Sequence, residues 1–411
     1  MNNAKNTTLF PYLERLLEGE EVEWKTLGEV CDYEQPTAYL VRNTNYSDRY
    51  PIPVLTAGKT FILGYTNETT GIYRASEHPT IIFDDFTTAN KWVDFDFKAK
   101  SSAMKMLTSK DEKVCLLKYI YYWLNTLPAD SIVGDHNRQW ISNYAQKLFP
   151  LPPLRVQARI VEILDKFTQL EAELEAELEA RKKQYAYYRD QLLNFSQCPP
   201  LNVNIEWKTL GEVCLQLRTG LNPRNNFELN TDDASNYYVT VRELGGTELI
   251  YSEKTDLIND HALQLINNRS KLKVNDILFS GTGTIGKTAF IAEEPSNWNI
   301  KEGVYALTLD TRCVLPMFVL RYLQSQRAID WIERMAAGGI VRSITMRKLE
   351  QLPFPVPPLS EQRRIVDILD RFDTLTNSIS EGLPKEIALR RKQYEYYRDA
   401  LLSFPRPEAT A

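Results

Sequence analysis

The chain repeats itself, and the repeat limits its fold more than any other feature. EWKTLGEVC stands at 23–31 and again, unchanged, at 206–214. LPPLRVQARIVEILDKF (151–167) returns as VPPLSEQRRIVDILDRF (356–372), and RKKQYAYYRDQLLNF (181–195) returns as RRKQYEYYRDALLSF (390–404). Between these shared blocks, roughly over 32–150 and 215–355, the two copies differ almost completely. So long a period excludes a solenoid. It predicts two copies of one architecture related by a pseudo-twofold, each with one part held nearly fixed and another free to vary. A chain of 411 residues can supply two or three domains with cores of their own.

The shared blocks read as long amphipathic helices. Ile160, Ile163, Leu164, Phe167, Leu170, Leu174, Leu178, Tyr185, Tyr188 and Leu192 recur at three-to-four spacing. LEAELEAELEA (170–180) consists of strong helix formers, and Pro152-Pro153 fixes the chain just before the helix. About 40 residues at ~1.5 Å each make a rod of roughly 60 Å. The second copy repeats the stripe through Ile365, Ile368, Leu369, Phe372, Leu375, Ile379, Ile387, Tyr394, Tyr397 and Leu401. Gly382 and Pro384, in EGLPKE (381–386), should kink or restart it. One such rod cannot bury its stripe alone, so the two are expected to pair antiparallel as a coiled coil.

The variable segments read as mixed α/β. TIIF (80–83), DILFS (276–280) and VYALTL (304–309) look like strands, and LLKYIYYWLNTL (116–127) and LPMFVLRYLQSQRAIDWIERM (315–335) like helices. The expected fold class is therefore α/β (α+β): two globular mixed domains joined by two long antiparallel helices. The boundaries fall at 1–150 and 197–355 for the domains, and at 151–196 and 356–411 for the helical regions.

SGTGTIGKT (280–288) fits two nucleotide-binding patterns, G-x-x-x-x-G-K-[ST] and G-x-G-x-x-G. Internal comparison argues against both. ILF reaches Lys287 eight residues after Phe279, and IIF reaches Lys91 eight residues after Phe83 through DDFTTANK, which has no glycine. Residues 104–108 likewise align with 304–308. A phosphate loop must feed a helix whose N-terminus faces the anion. Here TAFIAEEP follows, alternating like a strand. The element is expected to be strand, turn and strand, with its glycines permitting a close backbone approach.

Composition adds exclusions. Hydrophobic residues make up 43% and charged residues 25%, as in ordinary globular proteins. Five scattered cysteines without C-x-x-C, and three histidines, argue against zinc. No stretch has signal-peptide or membrane-span character, so a cytoplasmic protein with reduced thiols is expected. We find no methyltransferase or helicase motif and no defensible Ser/His/Asp set. EWK has the E-x-K spacing of some nucleases but lacks a suitable upstream Pro-Asp; Trp24 and Trp207 read as packing anchors.

Taken together, the duplicated P-P-L…Q-x-R-I-V-x-I-L-D-x-F entries, the R-K-x-Q-Y-x-Y-Y-R-D-x-L-L exits and the divergent inserts resemble the specificity subunit of a Type I restriction–modification system. The resemblance spans about residues 10–404, and the repeated Glu-Ala-Glu-Leu tetrads at 171–178 resemble the short central repeat of one subgroup. It implies a non-catalytic chain in which two target-recognition domains each read half of a split, asymmetric double-stranded DNA target. The helices act as a ruler, as half-site spacing does in dimeric DNA-binding proteins. It implies two methyltransferase subunits and restriction/translocase subunits as partners, no membrane, and no cofactor in this chain. S-adenosylmethionine, ATP and Mg would sit on the partners. The alternatives are a stand-alone bipartite DNA-binding protein, such as a repressor or orphan specificity protein, and a nucleotide-dependent enzyme acting through 281–288.

The net charge of -5 does not advertise a nucleic-acid binder. Basic and acidic residues balance at 13 and 13 over 32–150, and at 16 and 16 over 215–355. Each domain must therefore gather its cations on one face, and the chain alone should bind DNA weakly. Residue chemistry nominates Lys59, Lys91, Trp92, Lys105, Arg138 and Gln139 in the first domain as DNA contacts. In the second it nominates Arg218, Arg242, Thr282, Thr284, Lys287, Arg342 and Ser343. Arg suits guanine and Gln suits adenine in the major groove. HNRQW (136–140) and GGIVRS (338–343) each precede a shared helix. Leu170, Leu174, Leu178, Tyr185, Tyr188, Leu375, Ile379, Tyr394 and Tyr397 are the expected spacer and partner positions.

Overall fold

The computed structural model describes residues 9–58, 60–128, 138–195, 205–224, 226–338, 342–377 and 381–406. Within the first variable segment, the fully buried run Thr80–Asp84 lies at the centre of a four-stranded antiparallel sheet. Its order is Cys31–Glu34, Met104–Ser109, Thr80–Asp84, Asn90–Val93. The second variable segment builds the same sheet from Cys214–Thr219, Val304–Leu309, Ile277–Ser280 and Thr288–Phe290. Ile81 faces Leu107 as Ile277 faces Leu307, and Phe83 faces Lys105 as Phe279 faces Tyr305. The aligned blocks 104–108 and 304–308 thus occupy one register despite their different residues. A three-stranded sheet accompanies each, ordered Ile62–Thr66, Ile52–Leu55, Lys98–Ala99 in one copy and Leu257–Ile258, Asn236–Val239, Trp298–Ile300 in the other.

The identical nonapeptides build the same strand pairing and the same capping box. Glu23–Thr26 pairs antiparallel with Leu148–Leu151, and Glu206–Thr209 pairs with Pro353–Val356, with Trp24 opposite Pro150 and Trp207 opposite Pro355. A capping box follows in each: Glu29 accepts from the Thr26 amide at 2.6 Å, and Glu212 from that of Thr209 at 2.7 Å. Trp24 packs on the core, whereas Trp207 is 42% exposed beneath Arg327, 5.0 Å from its ring centroid. A fully buried glutamine in each helical block clamps the residue that opens an earlier helix, Leu117–Leu124 in the first copy and Pro316–Leu323 in the second. Gln157 accepts from Leu116 N at 3.0 Å and Gln362 from Leu315 N at 2.8 Å.

The chain divides into two units, 1–175 with 386–411, and 176–385. The helix Leu154–Leu192 is continuous, and its two halves belong to different units. In the first unit Phe167 stacks on Tyr397 at 5.5 Å, and Arg391 reaches Glu171 at 2.7 Å and Glu175 at 3.2 Å. Partners that rise in one helix as they fall in the other define an antiparallel pair. In the second unit Tyr188 stacks on Phe372 at 5.7 Å, the same pair with the copies exchanged. The second rod is broken as expected, into Leu359–Asn377 and Gly382–Leu401, with Gly382 at φ +76°. Leu170, Leu174, Leu178, Leu375, Tyr394 and Tyr397 are half-buried, Tyr185 is buried, and Tyr188 is 41% exposed. Ile379 lies outside the described residues.

Each repeat copy ends in the core of the other unit. Leu401, Leu402 and Phe404 join Leu13, Leu27, Phe83, Phe149 and Ile160 in the first. Leu193 and Phe195 join Leu210, Phe279, Phe318, Phe354 and Ile365 in the second. The helix expected over 315–335 forms as two, Pro316–Leu323 and Gln326–Met335, because Ser325 leaves helical geometry and caps the second.

Candidate nucleic-acid interface

In each unit the turn after the central strand meets the segment that leads into the shared block. In the first, the turn 84–89 folds on its own acid: Asp84 Oδ1 accepts from the amides of Phe86 (2.9 Å) and Thr87 (3.2 Å). Thr88 takes φ +62°, an unusual choice for a β-branched residue. Asp85 Oδ1 accepts from Trp140 N at 2.8 Å, and its carbonyl oxygen accepts from Gln139 N at 2.8 Å. Trp140 is buried edge-on against Phe83. These bonds pin Gln139 and Trp140 to the turn and leave Arg138 exposed beside it, with Phe86 42% exposed at its tip.

In the second unit the turn lies between Ser280 and Thr288. Ser280 Oγ donates to Thr284 O at 2.6 Å and accepts from Lys287 N at 2.8 Å. Gly283 and Gly286 have φ +78° and +89°. A Cβ on Gly281 would meet the Tyr305 ring at 2.2 Å, so only glycine allows that backbone against the core. Ile344 N donates to Gly281 O at 2.9 Å, Gly283 N donates to Arg342 O at 3.1 Å, and Thr282 bridges Ser343. The chain enters strand Thr288–Phe290, and Phe279 faces Thr288. No helix follows the motif, so the helix N-terminus that a phosphate loop requires is missing here.

The structure therefore brings Thr282, Thr284, Lys287, Arg342 and Ser343 together. Ser343 is half-buried and the others are exposed. Lys91 and Arg138 are exposed in the first unit. The equal spacing to Lys91 and Lys287 does not make these two equivalent. Phe83 faces Asn90 and Phe279 faces Thr288, so the second turn is two residues longer. Lys91 stands within a strand, whereas Lys287 closes a turn.

Two nominated cations are removed from the surface set by burial. Lys105 is 2% exposed, 3.7 Å from Asp85, with its ammonium over the Tyr33 ring at 4.6 Å. Arg218 is buried on Asp276, whose carboxyl burial pushes above its ordinary range against the pull of Thr308 and Arg218. Both are core ion pairs and unavailable to a macromolecule. Gln139 is also buried, and Asn143 donates to its side-chain oxygen at 3.1 Å. Trp92 packs on Tyr121 beneath Lys118. Arg242 pairs with Asp256 at 2.5 Å in a different segment, and Lys59 lies outside the described residues. Sequence reasoning missed Phe86 and Arg334. Phe86 had a legible signal, an aromatic residue inside a polar turn. Arg334 had none, because the helix Gln326–Met335 brings it and Glu333 to Arg342.

The model of the Type I restriction modification DNA specificity domain matches twice, over residues 19–180 and 202–389. The chain is 51% identical over 413 residues to the Type I restriction enzyme EcoR124I/EcoR124II specificity subunit of Escherichia coli, covering 97% of this chain and 98% of that one. The fold resembles that of the Type I restriction–modification S subunit of M. genitalium, with TM-score 0.55, 16% identity, and 94% and 97% of the two chains covered. A chain from a structure describing complex assembly and conformational transition of the type I R-M system gives TM-score 0.54 at 18% identity, with 94% and 99% covered.

Proposed function

This chain belongs to the DNA-specificity subunits of Type I restriction–modification systems, and from that membership we propose how its two units divide the target between them. As a specificity subunit it recognises DNA, assembles with methyltransferase and restriction subunits, and is not itself an enzyme. The turn 84–89 with Arg138 reads one half of the target. The turn 281–287 with Arg342 and Ser343 reads the other. The observation that carries this assignment is the shared placement: two dissimilar exposed turns stand on sheets of one register, each bound to the segment that enters a shared block. Phe86 suits a thymine methyl, whereas Thr282, Thr284, Lys287 and Arg342 suit polar base edges and phosphates. Different chemistry at equivalent places yields an asymmetric target.

The helix pairs hold the two reading faces at a set spacing and offer similar surfaces to two copies of the methyltransferase. S-adenosylmethionine, ATP and Mg belong to the partner subunits; in support, the one phosphate-loop-like motif folds as a turn between strands. Among the described residues no helix is long and apolar enough to cross a membrane, and we assign the assembled complex to the cytoplasm. The test is methylation by the chain with its methyltransferase partner. A duplex carrying both half-targets at native spacing should be modified, and one with either half scrambled should not. Equal affinity for scrambled duplexes would overturn the reading.

A further inference from the structure

The apolar helix Pro316–Leu323 buries one charge. The side chain of Arg321 is 1% exposed, and each guanidinium nitrogen has a partner. Nη2 donates to Asp370 at 2.7 Å and Asp373 at 2.9 Å, and Nε to Asp370 at 3.2 Å. Nη1 faces Thr247 at 3.2 Å, Tyr185 at 3.3 Å and Gln324 at 3.4 Å. Tyr185 comes from the long helix, and the aspartates from Leu359–Asn377. The chain of bonds continues outward. The Gln324 amide donates to Thr288 Oγ1 at 2.9 Å and Gly246 O at 3.0 Å, while Thr288 Oγ1 donates to Gly246 O at 2.7 Å. Thr288 is buried and begins the strand that leaves the turn 281–287.

Among its described residues the first unit lacks this chain. The clamps on Leu116 and Leu315 set Tyr122 in the place of Arg321 and Asn125 in that of Gln324. Asp165 and Thr168 stand where Asp370 and Asp373 do. Tyr122 donates to Asp165, and Asn125 donates back to its own helix, to Tyr121 O at 2.8 Å. Asn90, which faces Phe83 as Thr288 faces Phe279, has a buried Oδ1 without a hydrogen-bond partner among the described residues.

We propose that Arg321 and Gln324 are positioning residues that tie the DNA-reading turn 281–287 to the helix pair of the second unit. Recognition of one half-target then depends on how the helices hold Tyr185, Asp370 and Asp373, and recognition of the other half does not. The inference rests on the reading of that turn as a DNA contact. It also makes the variable segments unequal guests. The first segment set into the second position would replace the guanidinium that bridges Asp370 and Asp373 with Tyr122 and with Lys118, which pairs with Asp165 at 3.1 Å in its own unit, and would leave Asp373 without the arginine that holds it.

The test uses the full chain with its methyltransferase partner, on duplexes altered by one base pair in either half-target, the halves having been read from a methylation map. Gln324→Met cuts the link without stranding a charge. It should lower discrimination at the second half by about fivefold, the equivalent of one hydrogen bond, and leave the first half unchanged. Thr288→Val should match it, Thr288→Ser should keep native discrimination, and the double variant Gln324→Met with Thr288→Val should be no worse than either alone. Equal loss at both halves would overturn the proposal, because it would mean general loosening. So would native discrimination in Gln324→Met while Lys287→Ala loses the second half. If Lys287→Ala and Arg342→Ala also leave the second half intact, the reading of the turn itself fails, and the link with it.

Discussion

Leu401 lies hundreds of residues from most of the core it completes, and its truncation tests that closure. The side chain is 1% exposed and shares a core with Leu13, Phe83, Phe149 and Ile160. Leu401→Ala removes three carbons, roughly 2.4 kcal/mol at ~0.8 kcal/mol per methylene-sized group. Incomplete collapse of the hole raises the cost to about 3 kcal/mol. The first unit has about 200 residues, so its unfolding midpoint should drop by roughly 6–12 °C. Hydrogen exchange followed by mass spectrometry resolves the two units. Amides of Thr80–Asp84 and Met104–Ser109 should exchange roughly a hundredfold faster, while those of Ile277–Ser280 and Val304–Leu309 keep their rates. Leu193→Ala, buried at 1% in the second core, should give the mirror result. Loosening of the second unit by Leu401→Ala, or no change in the first, would refute the exchanged-tail arrangement.

Other substitutions separate folding from recognition. Arg218→Ala strands the buried Asp276 carboxylate and should cost about 3 kcal/mol in urea unfolding, whereas Lys287→Ala should change stability by less than ~0.5 kcal/mol and weaken DNA binding. Burial pushes the Cys115 thiol from 9.0 up to about 12, so its contribution is intact below pH 9 and is lost as pH rises towards 12, where the unfolded chain ionises first. Denaturation at pH 8 and pH 11 should show that loss, and Cys115→Ala should reduce it. One more Glu-Ala-Glu-Leu tetrad after Leu178 adds ~6 Å of helix. It should widen the recognised gap by one or two base pairs at ~3.4 Å each, and an unchanged gap in the methylation map would remove the helix as ruler.

The repeat made much of the fold legible because identical residues must satisfy identical geometry. EWKT, its capping box and the buried Gln157 and Gln362 do so in both units. The glycine motif was legible for the same reason: a copy without glycines cannot be a phosphate loop. Site residues were harder to read, since charge alone does not tell surface from core. Lys105 and Arg218 have the composition of contacts, yet acids from neighbouring elements hold them inside. Spacing misled at Lys91, because counting from a strand cannot show that one turn is two residues longer. Arg321 gave only a faint signal, one arginine in the apolar run FVLRYL. Its meaning depends on aspartates about 50 positions further along the chain.

The central claim is that each unit reads its own half of the target. The most direct measurement is the methylated motif in cells that carry the partner subunits and either Arg138→Ala or Arg342→Ala. Each variant should leave one half of the motif intact and make positions in the other degenerate, with the halves exchanged between the two variants. A motif that degrades in both halves together, or the same half lost in both variants, would contradict the account.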